Sequence, residues 1–147
     1  MGVTSNRKSA LRKLSLMLSK EREEKKRVAL QKVLLAAFTH AVKMSPVDTG
    51  LYRASHHISF NQPELGWAPP DSAVGKGEQE LGVVLSEGIR KITSMRDLPR
   101  NGAFLSNSLK YAQAIEHGHS GQAPQGVYAQ VEQIVKDEIA RIARGGK

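Results

Sequence analysis

Along the first third of the chain, apolar residues recur at helical spacing in two separate sets. Leu11, Leu14 and Leu18 make the first, and Leu30, Val33 or Leu34, Ala37, Phe38, Ala41 and Val42 the second. No glycine or proline interrupts residues 5–44, and Thr4 or Ser5 can cap the first turn. Between the two sets stands KEREEKKR, residues 20–27, whose charges suit a solvated helix face with i, i+4 ion pairs such as Glu21 with Lys25. One helix of about 40 residues would be about 60 Å long, too long to lie along the core of so small a domain. The pattern therefore predicts that Val28 to Met44 docks, while the first twenty or so residues project, bend or order only on a partner. Ser45-Pro46 ends the helix, because a residue before proline is pushed out of the α region.

Beyond that point the period changes. Asp48-Thr49-Gly50 supplies turn chemistry for a short helical turn through Leu51, Tyr52 and Ala54, and HISFN at 57–61 alternates apolar and polar residues as a strand does. Residues 61–80 hold three of the six prolines and read as a long loop, with Trp67 either anchoring it or reaching a neighbour. The apolar run LGVVL at 81–85 predicts a buried strand, residues 87–95 a short helix or a further strand, and AFLSN at 103–107 the last strand. After Gly126, the residues Val127, Val131, Ile134, Val135, Ile139 and Ile142 share one helical face as far as Gly145-Gly146. The sum is an α+β fold: a small, mostly antiparallel sheet packed by a long N-terminal helix and a C-terminal helix. Residues 1–27 read as a projecting basic segment and 28–147 as a single domain.

The net charge of +8 sharpens the division. Residues 1–46 carry eleven Lys or Arg and three acids, whereas the remainder carries eleven of each. All the excess positive charge thus lies in the N-terminal third, as for a segment facing an acidic partner. The chain has no cysteine, which excludes disulfides, thiolate metal sites and cysteine nucleophiles. No window approaches the roughly 20 apolar residues of a membrane span. A soluble, cytoplasmically made protein without a membrane partner is expected.

Residues 111–126, YAQAIEHGHSGQAPQG, hold the densest candidate chemistry. Glu116, His117 and His119, with His56 and His57, offer metal-ligand types, but Gly118 separates the pair and a third ligand would have to come from far away. Neither a nucleophile elbow nor a full phosphate-loop spacing occurs, the glycines of GKGEQE at 75–80 notwithstanding. The expectation is no catalytic residue, no metal and no cofactor. Tyr111 to Glu116 can instead form a short helix that Gly118 terminates in the left-handed conformation. Gln122 to Gly126 would then aim the last helix, in a stretch suited to subunit packing.

Two stretches together resemble a known family. Ser45-Pro46-Val47-Asp48-Thr49-Gly50-Leu51-Tyr52-Arg53-Ala54-Ser55 is similar to the "(S/T)PVDTGxLRxS" signature that follows the first helix in neck, or tail-completion, proteins of long-tailed bacteriophages. Asn107 to Ser120 resembles the same family's "NxxxYAxxIExGxS" element, and Gln122 to Gly126 its QAPxG variant. The chain departs at Lys110, where the family often has proline. The resemblance implies a non-enzymatic virion protein of the neck or tail region. Such a protein assembles as a homo-oligomeric ring of six subunits, beside the tail terminator and head-closure or connector proteins, with at most a passing contact with channel DNA.

On that basis Tyr52, Arg53, Trp67, Tyr111, Glu116, His117 and His119 are expected at subunit or partner interfaces. Asp48, Gly50, Gly118, Pro124 and Gly126 are expected to set backbone geometry, and Arg7, Lys8, Arg12 and Lys13 to face DNA or an acidic neighbour. The alternative is a nucleic-acid-binding module that sets the basic helix on phosphates. The absence of any aromatic residue before Phe38, and the acids within KEREEKKR, count against it.

Overall fold

The computed structural model describes residues 2–146, with side chains from Arg7 onward; the outermost residues of the two predicted segments, Met1 and Lys147, lie outside them. Helix α1 runs unbroken over Gly2–Lys43, so it has already begun before the predicted caps Thr4 and Ser5. It is followed by α2 (Leu51–Ala54), β1 (His56–Phe60), a 3-10 turn (Asp71–Ala73), α3 (Glu78–Thr93), β2 (Ala103–Asn107), α4 (Ala112–Glu116) and α5 (Tyr128–Ala143). The fold is mixed helix and sheet, as the pattern predicts. Its sheet is a two-stranded antiparallel ribbon in which His56 faces Asn107 and Phe60 faces Ala103.

One predicted strand is a helix. Residues 81–85 lie inside α3, whose Val84, Gly88 and Ile92 are buried on one stripe at i, i+4 and i+8. Glu78 and Glu80 in its first turn complement the positive end of the helix dipole, and Arg90 and Lys91 the negative end. Residues 87–93, read as helix or strand, continue the same helix.

The C-terminal half of α1 is held between two small cores. On one side Leu34, Phe38 and Val42 meet Ile58 of β1 and Val84 and Ile92 of α3. On the other, the small Ala37 and Ala41 let Val127, Val131 of α5 and the ring of Tyr52 close in. The contact with α3 is close: a Cβ at Gly88 would lie 2.0 Å from Cε1 of the buried Phe38 ring.

Carbonyls at the end of α3 are capped from α1. Gln31 donates to Ile92 O at 3.1 Å and Arg27 to Met95 O at 3.0 Å. Ahead of Arg27, Ser19 to Glu24 still flank a groove beside Arg96, Asp97 and Leu98, and residues 7–26 are all exposed. The helix before Arg27 is roughly 37 Å long at 1.5 Å per residue. The ion pair of Glu21 with Lys25 forms at 3.0 Å, but both side chains are mostly exposed and such pairs contribute little. Among the described residues, no helix is long and apolar enough to cross a membrane.

Candidate assembly site

The two motif segments fold against each other at one end of α5. The Asn107 side chain donates to Tyr52 O at 2.9 Å, while its carbonyl oxygen accepts from Leu109 N at 3.2 Å. The Gln122 amide pairs with the backbone of Val47, accepting from its N–H at 2.8 Å and donating to its carbonyl at 3.5 Å. The rings of Tyr52 and Tyr111 lie 6.5 Å apart.

Residues 111–126 form the short helix, stop and link that their sequence suggests. After α4 the chain closes a Schellman turn, with Gly118 N–H on Ile115 O at 3.0 Å and His119 N–H on Ala114 O at 3.1 Å. Gly118 sits at φ 84° with Pro124 O 2.5 Å from where a Cβ would stand, so glycine is required there. Gly50 and Gly126 also have positive φ. The return brings the Glu116 carboxylate onto the N-terminus of α5. It accepts from Val127 N at 2.9 Å and from Tyr128 N and Ala129 N at 2.8 Å each. One side chain thus satisfies three of the orphan donors of a helix start.

The other candidate residues divide by exposure. Tyr52 and Arg53, expected to meet a neighbour, are buried in their own chain at 4% and 6% exposure. Arg53 donates to the carbonyls of Gly75 and Gly77 at 2.7 and 3.2 Å, which pins the glycine loop ahead of α3. Trp67 stacks on His57 at 4.7 Å and anchors the long loop to the ribbon. Glu116 is occupied by its helix. Tyr111, His117 and His119 remain exposed, as do Asp48 and Pro124, and Arg7, Lys8, Arg12 and Lys13 stand free of the body on α1. Among the described residues, no three His, Cys, Asp or Glu side chains gather as a metal cluster.

A polar chain that sequence reasoning missed runs beneath this surface. Ser45 Oγ lies 2.6 Å from His56 Nε2 and 2.6 Å from Ala41 O, and His56 Nδ1 lies 2.9 Å from the Tyr128 hydroxyl. Ala41 O can only accept, so the Ser45 proton points to it. His56 Nε2–H must then donate to Ser45, and Nδ1 accepts from Tyr128. A Ser–His pair of this polarity activates no nucleophile, since the hydroxyl proton is turned away from the imidazole. Both residues are buried; the chain is a tie between α1, β1 and α5. Strand alternation separates the adjacent histidines: His56 turns toward α5, and His57 toward Trp67.

Burial, and secondarily the charge of His57, pushes the His56 pKa down to about 3. The unfolded imidazole takes up a proton as pH falls below about 6.5, whereas the native one does not until about pH 3. The neutral ring's contribution is therefore complete above pH 6.5 and is lost as pH falls through that window. Urea unfolding of the wild type should lose up to roughly 1.4 kcal/mol per pH unit more than His56→Gln between pH 6 and 4. Parallel pH profiles for the two proteins would contradict the neutral buried assignment.

Comparison with known proteins leaves the site to be read from its own geometry. No protein-family model, characterised protein or solved structure matches the chain.

Proposed function

We propose that the chain is a structural subunit of a bacteriophage neck, forming a ring at the head-proximal end of the tail and joining tail to head around the DNA channel. The observation that carries this reading is the joining of residues 45–55 and 107–126 into one hydrogen-bonded unit. The stretches by which the chain resembles tail-completion proteins are parts of a single substructure. The ring is homo-oligomeric, six subunits by the resemblance, and its neighbours are the tail terminator and head-closure proteins. The buried Ser45–His56 pair has the wrong polarity for nucleophilic catalysis.

The nucleic-acid-binding alternative has one observation in its favour, the exposed cations Arg7, Lys8, Arg12 and Lys13. Phosphate binding would leave unexplained the leucines on the same helix, with Leu11, Leu14 and Leu18 at 59%, 52% and 45% exposure.

Removal of residues 1–20 separates folding from joining. Because residues 7–20 are exposed, the truncated protein should keep its thermal stability within about 0.5 kcal/mol, as for surface changes away from the core, while particles carrying it fail to join heads to tails. Normal joining by the truncated protein would sink the role given to this segment. A loss of DNA affinity steep in salt, measured on the purified full chain and abolished by the truncation, would favour the alternative.

A further inference from the structure

The two halves of α1 present apolar residues on opposite sides. Leu11, Leu14 and Leu18 fall within about 60° of one another around the helix, and from Leu18 to Leu34 the helix turns by a net of about 160° at 3.6 residues per turn. Leu34 and Phe38 face the body; the leucine stripe therefore faces away from it. Ala10 and Met17 extend the stripe and Arg7 lies on it, while Lys8, Arg12, Lys13 and Lys20, with the exposed Leu16, occupy the other side, and no acid occurs in residues 7–20. Such a face is built for something outside its own chain.

The body carries a cleft of about 440 Å³ between the two motif segments, lined among others by Asp48, Leu51, Tyr52, Tyr111, Ile115 and Ser120. Leu51 and Ile115 give it apolar walls, and Asp48 is its charged residue. Burial first, and then Glu116 for Tyr52 and Asp48 for Tyr111, push the two hydroxyl pKa values upward. The Tyr52 hydroxyl is buried and has no hydrogen-bond partner. A cationic helix bearing exposed leucines matches this cleft in both charge and polarity.

We propose that the cleft between residues 46–52 and 111–122 receives the leucine stripe of residues 10–18 from a second copy of the chain. Leucine side chains seat against Leu51 and Ile115, with Arg7, on the same helix side, toward Asp48. This rests on the ring reading above and gives it a contact. Stripe and cleft are different surfaces, so the interface is head-to-tail, the kind that closes into a ring when its rotation permits. Pairing stripe to stripe in parallel would instead set Arg7, which lies on the stripe one turn before Leu11, against its own copy.

The native chain has no cysteine, so crosslinking of full-length single variants tests the contact with no background. Leu14→Cys mixed with Ser120→Cys under oxidised glutathione should give about tenfold more crosslinked dimer than Leu14→Cys mixed with Ser86→Cys on the exposed face of α3, the ratio expected of a modest specific preference. Equal yields from the two mixtures overturn the proposal, and so does preferential crosslinking of Leu14→Cys to itself. Capture of the wild-type chain by phosphatidylglycerol vesicles, with no enrichment of the crosslink, also overturns it by giving the stripe to a lipid surface. Negative-stain imaging separates the two claims: rings without the crosslink remove this contact alone, and the crosslink without rings removes the ring reading but keeps the contact.

Discussion

Gly88→Ala should be among the most destabilising small substitutions in the chain. The added Cβ would stand 2.0 Å from Cε1 and 2.2 Å from Cζ of Phe38, whose ring is 1% exposed. Alanine ordinarily favours a helix over glycine by about 1 kcal/mol, so propensity alone predicts a gain. Overpacking in a close-packed core costs roughly 1–3 kcal/mol, and a contact this short falls at or beyond the upper end. The steric cost wins. Chemical denaturation should give a net loss of about 2 kcal/mol or more, and Phe38→Leu in the same chain should recover part of it, since residues in contact couple. A Gly88→Ala protein as stable as the wild type would mean that α1 and α3 do not cross at this point.

The second large effect is expected at Glu116. Its carboxylate accepts three backbone N–H groups at the start of α5, at 2.8 to 2.9 Å. Alanine would leave those donors without their charged acceptor and remove a negative charge from the positive end of the helix dipole. At about 1.5–3 kcal/mol for a hydrogen bond to a charged group, with water taking back some of the exposed donors, the loss is about 3 kcal/mol. That is roughly 10 °C in Tm for a domain of this size. Hydrogen exchange should rise first at Val127, Tyr128 and Ala129. Glu116→Gln should fall in between, because an amide presents one acceptor oxygen in place of two. Loss confined to assembly, with Tm unchanged, would return Glu116 to the surface role its sequence suggests.

Both residues mark where the sequence was legible and where it was not. The long first helix, its end at Ser45-Pro46, the strand at 103–107 and the last helix follow from periodicity and breakers, and α1, β2 and α5 occupy those places. LGVVL misleads because a five-residue apolar run fits a strand and a buried helix equally well. The helical stripe becomes visible only when extended to Gly88 and Ile92, and a mid-helix glycine argues against that extension until the Phe38 ring is known to need its space. Tyr52 and Arg53 belong to the motif whose resemblance implies an interface, yet Tyr52 packs against α1 and α5 and Arg53 is held by the glycine loop. The Ser45–His56–Tyr128 chain joins residues whose proximity only the packing of α1 on α5 creates. What the sequence did carry is the exposed leucine stripe, legible as a helical period on a segment with nothing of its own to cover.

The central claim is that this chain stands as a ring in a phage neck. It is tested most directly by cryo-electron microscopy of the assembled particle with the chain's density located. The account predicts a closed ring of this fold at the head-proximal end of the tail, with residues 45–55 and 107–126 of each subunit turned to a neighbour. A complete particle in which the chain is absent, or lies away from the head-to-tail joint, would contradict it.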